Sequence, residues 1–348
     1  MAKAQSMIEN RIRERHDGAT YRPAPPFPRN LMVELTNACN HACIFSANPK
    51  MNRKNGRIDP ALLDRLLTEA YALGAREIGF YTTGDPLIHK DLGSFISAAK
   101  GIGFDYCYIS TNGALASEDR IRHIVDAGLD SIKFSINAGT RETYRMIHGK
   151  DDWDAVLHNV KLASALRQEI DRPLQIAITY VVTDQNSQEA EAFDRAMRPY
   201  VDDIYFSQCG VQGGNMLENS GVLVAEAYKY SAPCSMVFNR AHITCEGYLT
   251  LCCVDYENYL AVCDLKATAL MDAWNHPKFV EMRRKHLEDR LEGTLCHNCI
   301  NHTQLPIEPI NYALAYDVRF DSASVENRTR QEDRIAAVGD RLIEIATE

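Results

Sequence analysis

Two thiols near the start of the chain have a spacing that suits a metal site. Cys39 and Cys43 have three residues between them, in a short polar segment that follows the apolar run 31–35. Thiolates are soft, anionic ligands that favour iron–sulfur clusters and zinc over magnesium or calcium. The apolar run is typical of a buried strand, so we expect the two thiols in the loop at its end.

A second group of cysteines lies in the last third of the chain. It comprises Cys234, Cys245, Cys252, Cys253, Cys263 and the pair Cys296-His-Asn-Cys299. A tight hairpin and a C-x2-C turn each present thiolates on one side of a compact loop, and four such ligands close a metal site. Taken alone, this spacing fits structural zinc as well as an iron–sulfur cluster.

Composition limits the class of protein. The 348 residues include 38 basic and 47 acidic side chains, a net charge of −9 with no basic cluster, which argues against nucleic acid as the main partner. The first residues have no apolar core of signal-peptide length, and no run approaches a membrane span. We therefore expect a cytoplasmic protein whose 11 cysteines include metal ligands rather than a disulfide framework.

The elements that must position these thiols alternate along the chain. Short apolar runs occur at 31–35, 77–82, 106–110, 131–136, 174–182 and 203–207, with helical patterns between them. The clearest helix begins after Asp59, an N-cap followed by a proline, and ends at Gly74. Six β–α alternations predict an α/β fold with a parallel sheet, open or closed into a barrel, that binds ligands at the carboxyl ends of its strands.

The cysteine loop resembles that of radical S-adenosylmethionine (SAM) enzymes. In that family three cysteines spaced C-x3-C-x2-C hold a [4Fe-4S] cluster, and SAM chelates the iron left open. Cys39 and Cys43 match the first two positions, and Ser46 stands at the third. A hydroxyl is harder and far less acidic than a thiol, so Ser46 would hold iron reluctantly. The resemblance covers about residues 30 to 207 and implies a partial (β/α)6 TIM-type barrel.

Other predicted strand ends are similar to the family's SAM-binding motifs. Thr83-Gly84-Asp85-Pro86 stands where the family has GGEP, and Asp85 is one methylene shorter than the usual glutamate. Thr111-Asn112-Gly113 is similar to the TNG motif near the ribose. The fourth strand ends like the one that faces SAM, and the fifth like the one that packs on adenine. The resemblance implies that the cofactor contacts Thr83, Gly84, Asp85, Asn112, Ser135, Asn137 and Val181.

The C-terminal cysteines are similar to the SPASM/twitch region of the same family, which pairs a G-x4-C hairpin with a distal C-x2-C. Gly247 and Cys252 match the hairpin. The resemblance favours iron–sulfur over zinc and implies one auxiliary [4Fe-4S] cluster, with the ligands Cys234, Cys252, Cys296 and Cys299. Cys245, Cys253 and Cys263 are expected to be small buried side chains, with cluster ligation as the alternative.

These resemblances divide the chain into an N-terminal arm (1–29), the barrel (30–210), a small α+β auxiliary-cluster domain (211–309) and an extension (310–348). In the extension, the residue pattern favours a strand at 310–320 and a helix at 327–347.

The resemblances imply a radical SAM oxidoreductase that takes hydrogen from a substrate carbon, oxidising or epimerising a small polar molecule such as an aminocyclitol or sugar. A flavodoxin- or ferredoxin-type protein would donate the electron. Cys209, after the sixth strand, is a candidate hydrogen-atom donor, with packing as the alternative. The rival functions are a peptide-modifying maturase and an inactive descendant that binds a partner.

Overall fold

A parallel sheet carries the first part of the chain. The computed structural model describes residues 7–216 and 231–316. The first six strands run in chain order and pair in parallel, which confirms the predicted strands and the α/β class. They are β1 (Asn30–Val33), β2 (Glu77–Gly79), β3 (Tyr106–Thr111), β4 (Ser131–Ser135), β5 (Gln175–Val182) and β6 (Asp203–Gln208).

Helices connect these strands and bury apolar faces against the sheet. They are α2 (Pro60–Ala72), α3 (Leu92–Ile102), α4 (Glu118–Asp126), α5 (Arg141–His148), α6 (Trp153–Leu166) and α7 (Ala190–Met197). The start of α2 is as predicted, because the Asp59 carboxylate accepts a hydrogen bond from the Leu62 amide at 2.7 Å. Three of its leucines, Leu63, Leu66 and Leu67, are fully buried.

Three more strands extend the same sheet beyond β1. They are β7 (Arg240–Ile243), β8 (Tyr248–Thr250) and β9 (Ala261–Asp264), and β7 pairs in parallel with β1 while β8 and β9 form antiparallel pairs. The sheet is therefore nine-stranded, in the order β6-β5-β4-β3-β2-β1-β7-β8-β9, and β6 and β9 do not pair with each other. The helices of this part are α8 (Met236–Asn239), α9 (Leu270–Trp274), α10 (Pro277–Leu287) and α11 (Leu295–Asn301).

The N-terminal arm contains a helix, α1 (Met7–Asp17), that lies across the amino ends of the strands. Arg15 pairs with Glu77 at the start of β2 at 2.7 Å. The Arg11 guanidinium lies 3.8 Å from the centre of the Tyr106 ring, at the start of β3. The end of the barrel opposite the cysteine loop is thus covered by α1.

The end of the described chain differs from the prediction. The strand expected at 310–320 is wrong in its described part, because residues 310–316 form turns. The helix expected at 327–347 lies outside the described residues. Over 7–216 and 231–316, no helix combines the length and the apolar character needed to cross a bilayer.

Candidate active site

The loop after β1 brings Cys39 and Cys43 together at the carboxyl end of the sheet. Burial, then the carboxylate of Asp85, raises the pKa of Cys39 to about 12, and burial followed by the Cys39 charge raises that of Cys43. Asn112 Nδ2 lies 4.0 Å from Cys39 Sγ. Two neighbouring buried thiols are disfavoured as free thiolates, and a bound cation would reverse that preference.

Ser46 belongs to the same loop and faces the C-terminal part of the chain. Its amide donates to the Cys43 carbonyl at 3.0 Å, which folds the loop back on itself. Its side chain forms a hydrogen bond with Tyr256, a phenol whose pKa is raised by burial and by the thiols of Cys253 and Cys39. The third position of the motif therefore points to the same region as the first two, with oxygen in place of sulfur.

The loop after β2 is joined directly to the cysteine loop. A side chain at Gly84 would place its Cβ 2.4 Å from the carbonyl oxygens of Ala38 and Thr36, so only glycine allows this approach. The Asp85 amide donates to the same Ala38 carbonyl at 2.9 Å. Asn48 Nδ2 adds a bond to the Thr83 carbonyl at 2.9 Å.

Asp85 ties this loop to the next strand end. Its buried carboxylate accepts hydrogen bonds from the Asn112 amide at 2.7 Å, from the Thr111 hydroxyl at 2.8 Å and from the Leu87 amide at 2.9 Å. Burial raises the pKa of Asp85 although these donors oppose the effect. The predicted contact residues Thr83, Gly84, Asp85 and Asn112 thus meet beside Cys39.

Polar side chains continue this edge along β3, β4 and β5. Ser135 Oγ lies 3.4 Å from Ser110 Oγ and 3.3 Å from Thr179 Oγ1. Asn137 is buried and its Oδ1 accepts from the Val181 amide at 2.7 Å. Ser135, Asn137 and Val181 therefore occupy adjacent strand ends, as the parallel sheet requires.

Histidines beside Cys43 are residues that sequence spacing did not reveal. Ligand atoms of His41, Cys43 and His148 lie within 4.8 Å of one another, with His148 Nδ1 3.5 Å from Cys43 Sγ. The His41 Nδ1 atom is buried and has no hydrogen-bond partner. His148 ends α5, more than a hundred residues from Cys43, so only the fold brings it there.

At the three motif positions this loop offers two thiol sulfurs and one hydroxyl oxygen as possible ligand atoms. Thiols of this kind fit an iron–sulfur cluster at Cys39 and Cys43. Ser46 supplies an oxygen at the third position, which fits iron less well. The site accordingly matches the cluster in place and in two of three donors.

Five thiols converge in the C-terminal part. A cavity of about 190 Å³ is lined by Cys234, Cys252, Cys253, Cys296 and Cys299. Cys296 and Cys299 lie one helical turn apart on α11, and burial followed by neighbouring thiols raises the pKa of Cys296. Burial also raises the pKa of Cys299 to about 11. Five free thiols around one space fit a soft metal or an iron–sulfur cluster.

The four predicted auxiliary ligands are thus in one place, and Cys253 joins them. The neighbouring His242 is buried and lies beside the Cys253 thiol. Cys245 lies elsewhere, with its Sγ 3.6 Å from an Arg53 nitrogen, and Cys263 is a buried residue of β9. Cys107 is fully buried in the core.

Cys209 follows β6 and is buried in a small apolar cluster with Phe45 and Ile147. Burial raises the pKa of its thiol to about 11. Its Sγ lies 3.8 Å from the Gly210 carbonyl oxygen. These contacts agree with packing, and the donor role stays a prediction.

A larger cavity lies on the inner face of the sheet, next to α1. Its volume is about 640 Å³. Inward-facing side chains of β3 to β6, among them Lys133 of β4, line it together with Arg240. Met236 and Gly210 line both this cavity and the cysteine-lined one. Met236 Sδ is 3.8 Å from Cys252 Sγ, so the two cavities share a wall.

A buried ion-pair network connects the cysteine loop to the C-terminal hairpin. Arg53 has no exposed side-chain surface and lies 2.5 Å from Glu34 and 2.7 Å from Glu246. Glu34 also accepts from the Cys245 amide at 2.9 Å and from the Thr83 hydroxyl. Sequence reasoning missed this network, because its members are spread over three segments.

Comparison with known families agrees with this geometry. The family model described as the radical SAM superfamily matches residues 33–196, and that of the SPASM iron–sulfur cluster-binding domain matches residues 234–300. The chain is 24% identical over 290 residues to the S-adenosyl-L-methionine-dependent 2-deoxy-scyllo-inosamine dehydrogenase of Niallia circulans, covering 81% of this chain and 96% of that protein.

Solved structures share the fold at low identity. The crystal structure of BtrN in complex with AdoMet and 2-DOIA superposes with a TM-score of 0.55 at 19% identity, over 82% of this chain and 99% of that one. Streptococcus suis SuiB bound to its precursor peptide SuiA gives 0.59 at 14% identity, over 78% of this chain and 68% of that one.

Proposed function

Since the chain belongs to the radical SAM superfamily and carries a SPASM domain, we propose that it is a dehydrogenase that removes hydrogen from a carbon of a small polar substrate. Such enzymes use a [4Fe-4S] cluster and SAM to generate a 5′-deoxyadenosyl radical, which abstracts the hydrogen atom. Loss of one more electron and a proton from the substrate then gives net oxidation.

The observation that carries this proposal is the wall shared by the two cavities. A substrate in the 640 Å³ cavity would lie against Met236, whose sulfur contacts the Cys252 thiol at 3.8 Å. An auxiliary cluster at Cys234, Cys252, Cys296 and Cys299 would therefore stand next to the substrate and could accept its electron. Four cysteine ligands leave no open iron, which suits electron transfer rather than substrate binding.

The remaining residues of this chain would bind and orient the reactants. In this proposal Cys39, Cys43 and Ser46 hold the first cluster. Thr83, Gly84 and Asp85 form the edge where the methionyl part of SAM lies, with Asn112, Ser135, Asn137 and Val181 along the rest of the cofactor. Helix α1 covers the opposite end of the cavity and keeps water from the reacting carbon.

A small substrate is favoured over a peptide by the size of the cavity. A volume of about 640 Å³ is in the range of small-molecule sites. The inosamine dehydrogenase supports this choice, and SuiB with its peptide is the rival precedent. Cys209 would be required only for a redox-neutral outcome such as epimerisation. We also propose that the protein works in the cytoplasm, where thiols stay reduced, and that an external flavodoxin- or ferredoxin-type protein supplies the electron.

The presence of serine rather than cysteine at position 46 favours the second candidate function, that of an inactive descendant that binds a partner. The test is anaerobic reconstitution with iron and sulfide, reduction, addition of SAM and quantification of 5′-deoxyadenosine. We expect Ser46→Cys to bind more iron at the first site and to form more 5′-deoxyadenosine than the parent chain.

Ser94→Cys, at an exposed position of α3, controls for the effect of an added thiol. Activity in Ser46→Cys but none in the parent would assign the serine as the lesion and favour the second candidate for the parent chain. A fully loaded Ser46→Cys protein that makes no 5′-deoxyadenosine would refute the enzyme function.

A further inference from the structure

The central cavity carries an excess of positive charge. Four cations line it, and none of its lining residues within 7–216 and 231–316 is an aspartate or glutamate. Two of the cations, Arg11 and Arg15, share Glu77 as a counter-ion just outside the cavity. The other two, Lys133 and Arg240, form no ion pair in the part of the chain that the structure describes.

Lys133 is the inward-facing residue in the middle of β4. Its Nζ donates to the Tyr81 hydroxyl at 3.4 Å and makes no contact with a carboxylate. Burial, with Arg240 and Arg15 nearby, lowers the pKa of Lys133 to about 8, which shows that its charge is poorly compensated. The titratable and charged groups that face it are Tyr81, Tyr108, Arg15, Arg240 and Cys253.

Arg240 is the first residue of β7, the strand that pairs with β1 on the side away from β2. It lies in register with Asn30 of β1 and lines the same cavity as Lys133. Its Nε atom is buried and has no hydrogen-bond partner. An unsatisfied guanidinium nitrogen costs free energy that an anionic ligand would recover through a charge-assisted hydrogen bond. Two cations from distant strands, neither of them ion-paired with a described residue, therefore face one cavity.

We propose that the substrate is a small hydroxylated molecule with an anionic group, a carboxylate or a phosphate, that contacts Lys133 and Arg240. The hydroxyl groups would meet the polar side chains of Ser131, Gln175 and Ser207, which line the same cavity. This inference deepens the proposed function by naming its substrate class. It also argues against a cationic aminocyclitol, because every charged side chain that lines this cavity is a cation.

The test measures binding rather than turnover, so it does not depend on radical chemistry. Four pyranoses of similar size are titrated into the reconstituted, unreduced protein by isothermal calorimetry at about pH 7: glucuronate, glucose 6-phosphate, glucose and glucosamine. We expect one or both anions to bind at least about tenfold more tightly than glucose, and glucosamine to bind most weakly. Tighter binding of glucuronate would indicate a carboxylate site, and tighter binding of glucose 6-phosphate would indicate a phosphate site.

The cations are tested one at a time. Lys133→Gln and Arg240→Gln should each lower the affinity for the preferred anion about tenfold or more and leave that for glucose unchanged. Arg240→Lys, which keeps the charge, should retain most of the affinity. Lys161→Gln removes an exposed lysine on the outer face of α6 and should change nothing.

Equal binding of all four sugars, or no binding of any, would overturn the proposal. So would an anion affinity that survives both glutamine substitutions. If the substitutions instead alter only the iron content or absorption spectrum of the protein, the cations serve the auxiliary cluster. The proposed function fails separately, by absence of 5′-deoxyadenosine from a loaded protein whatever the binding result.

Discussion

Replacing Arg53 by methionine should destabilise the protein more than any single substitution on its surface. The Arg53 side chain is fully buried between Glu34 and Glu246, and Glu34 is itself 1% exposed. Methionine approximates the length of the arginine stem but leaves the Glu34 charge without a counter-ion. Removing one partner of a buried ion pair costs about 3–5 kcal/mol, because the remaining charge stays desolvated.

The stability that Arg53→Met loses depends on pH, and the sign of this dependence can be worked out. Burial alone would raise the pKa of Glu34, but Arg53, with hydrogen bonds from Thr83 and Cys245, outweighs burial and lowers it. In the parent protein the lowered pKa of Glu34 contributes stability, and this stability is lost as the pH falls through that lowered pKa. Without Arg53, burial dominates and the pKa of Glu34 rises. The free-energy cost of the buried Glu34 charge then declines on acidification, because the carboxylate becomes protonated. The difference in the free energy of unfolding between parent and variant should therefore narrow as the pH is lowered from neutrality.

Urea unfolding followed by circular dichroism measures the effect. With a slope of roughly 3 kcal/mol per molar urea, the midpoint should fall by about 1–1.5 M at pH 7. Arg195→Met removes an exposed pair with Glu191 and should cost less than about 0.5 kcal/mol. Adding Glu34→Gln to Arg53→Met should recover part of the loss. A variant as stable as Arg195→Met, or a double variant no better than the single one, would refute the reasoning.

Four further predictions concern the sites. Cys252→Ser should lower iron and acid-labile sulfide by about four each per chain, whereas Cys263→Ser, a buried thiol outside the cysteine cavity, should not; zinc without sulfide would exclude the cluster. Gly84→Ala should cost about 1–3 kcal/mol and weaken SAM binding in equilibrium dialysis, because its Cβ meets two carbonyl oxygens at 2.4 Å; Gly101→Ala, with open space around it, should do neither. Cys209→Ala should retain dehydrogenation, and continued 5′-deoxyadenosine formation without product would instead indicate a donor role. The affinity of the cavity for an anion should fall as pH rises through about 8, since Lys133 loses its charge there; calorimetry showing constant affinity across that range would exclude Lys133 from binding.

Local patterns predicted the elements that position the first site. The strand and helix boundaries follow from runs such as 106–110 and from the Asp59-Pro60 start of α2, because these signals act over a few residues. The convergence of the strand-end loops follows from the parallel order of the strands. Cys39, Asp85 and Asn112 therefore meet as the sequence indicated.

Contacts between distant segments were beyond local reasoning. Nothing near Arg53 indicates that its partners are 19 residues before it and 193 residues after it. Lys133 could be placed on the inner face of β4 by alternation, but its neighbour Arg240 arrives through the pairing of β7 with β1. His148 reaches Cys43 in the same indirect way. Such residues are recognised only once the topology is known.

The pairing of β7 with β1 has a consequence for any attempt to divide the protein. Cutting the chain near residue 210 would leave the backbone groups of Asn30–Val33 without their hydrogen-bonding neighbour on that side. An unprotected strand of apolar residues is a template for self-association. The two cysteine sites are consequently parts of one continuous hydrogen-bonded framework, and the fragments should precipitate where the whole chain stays dispersed.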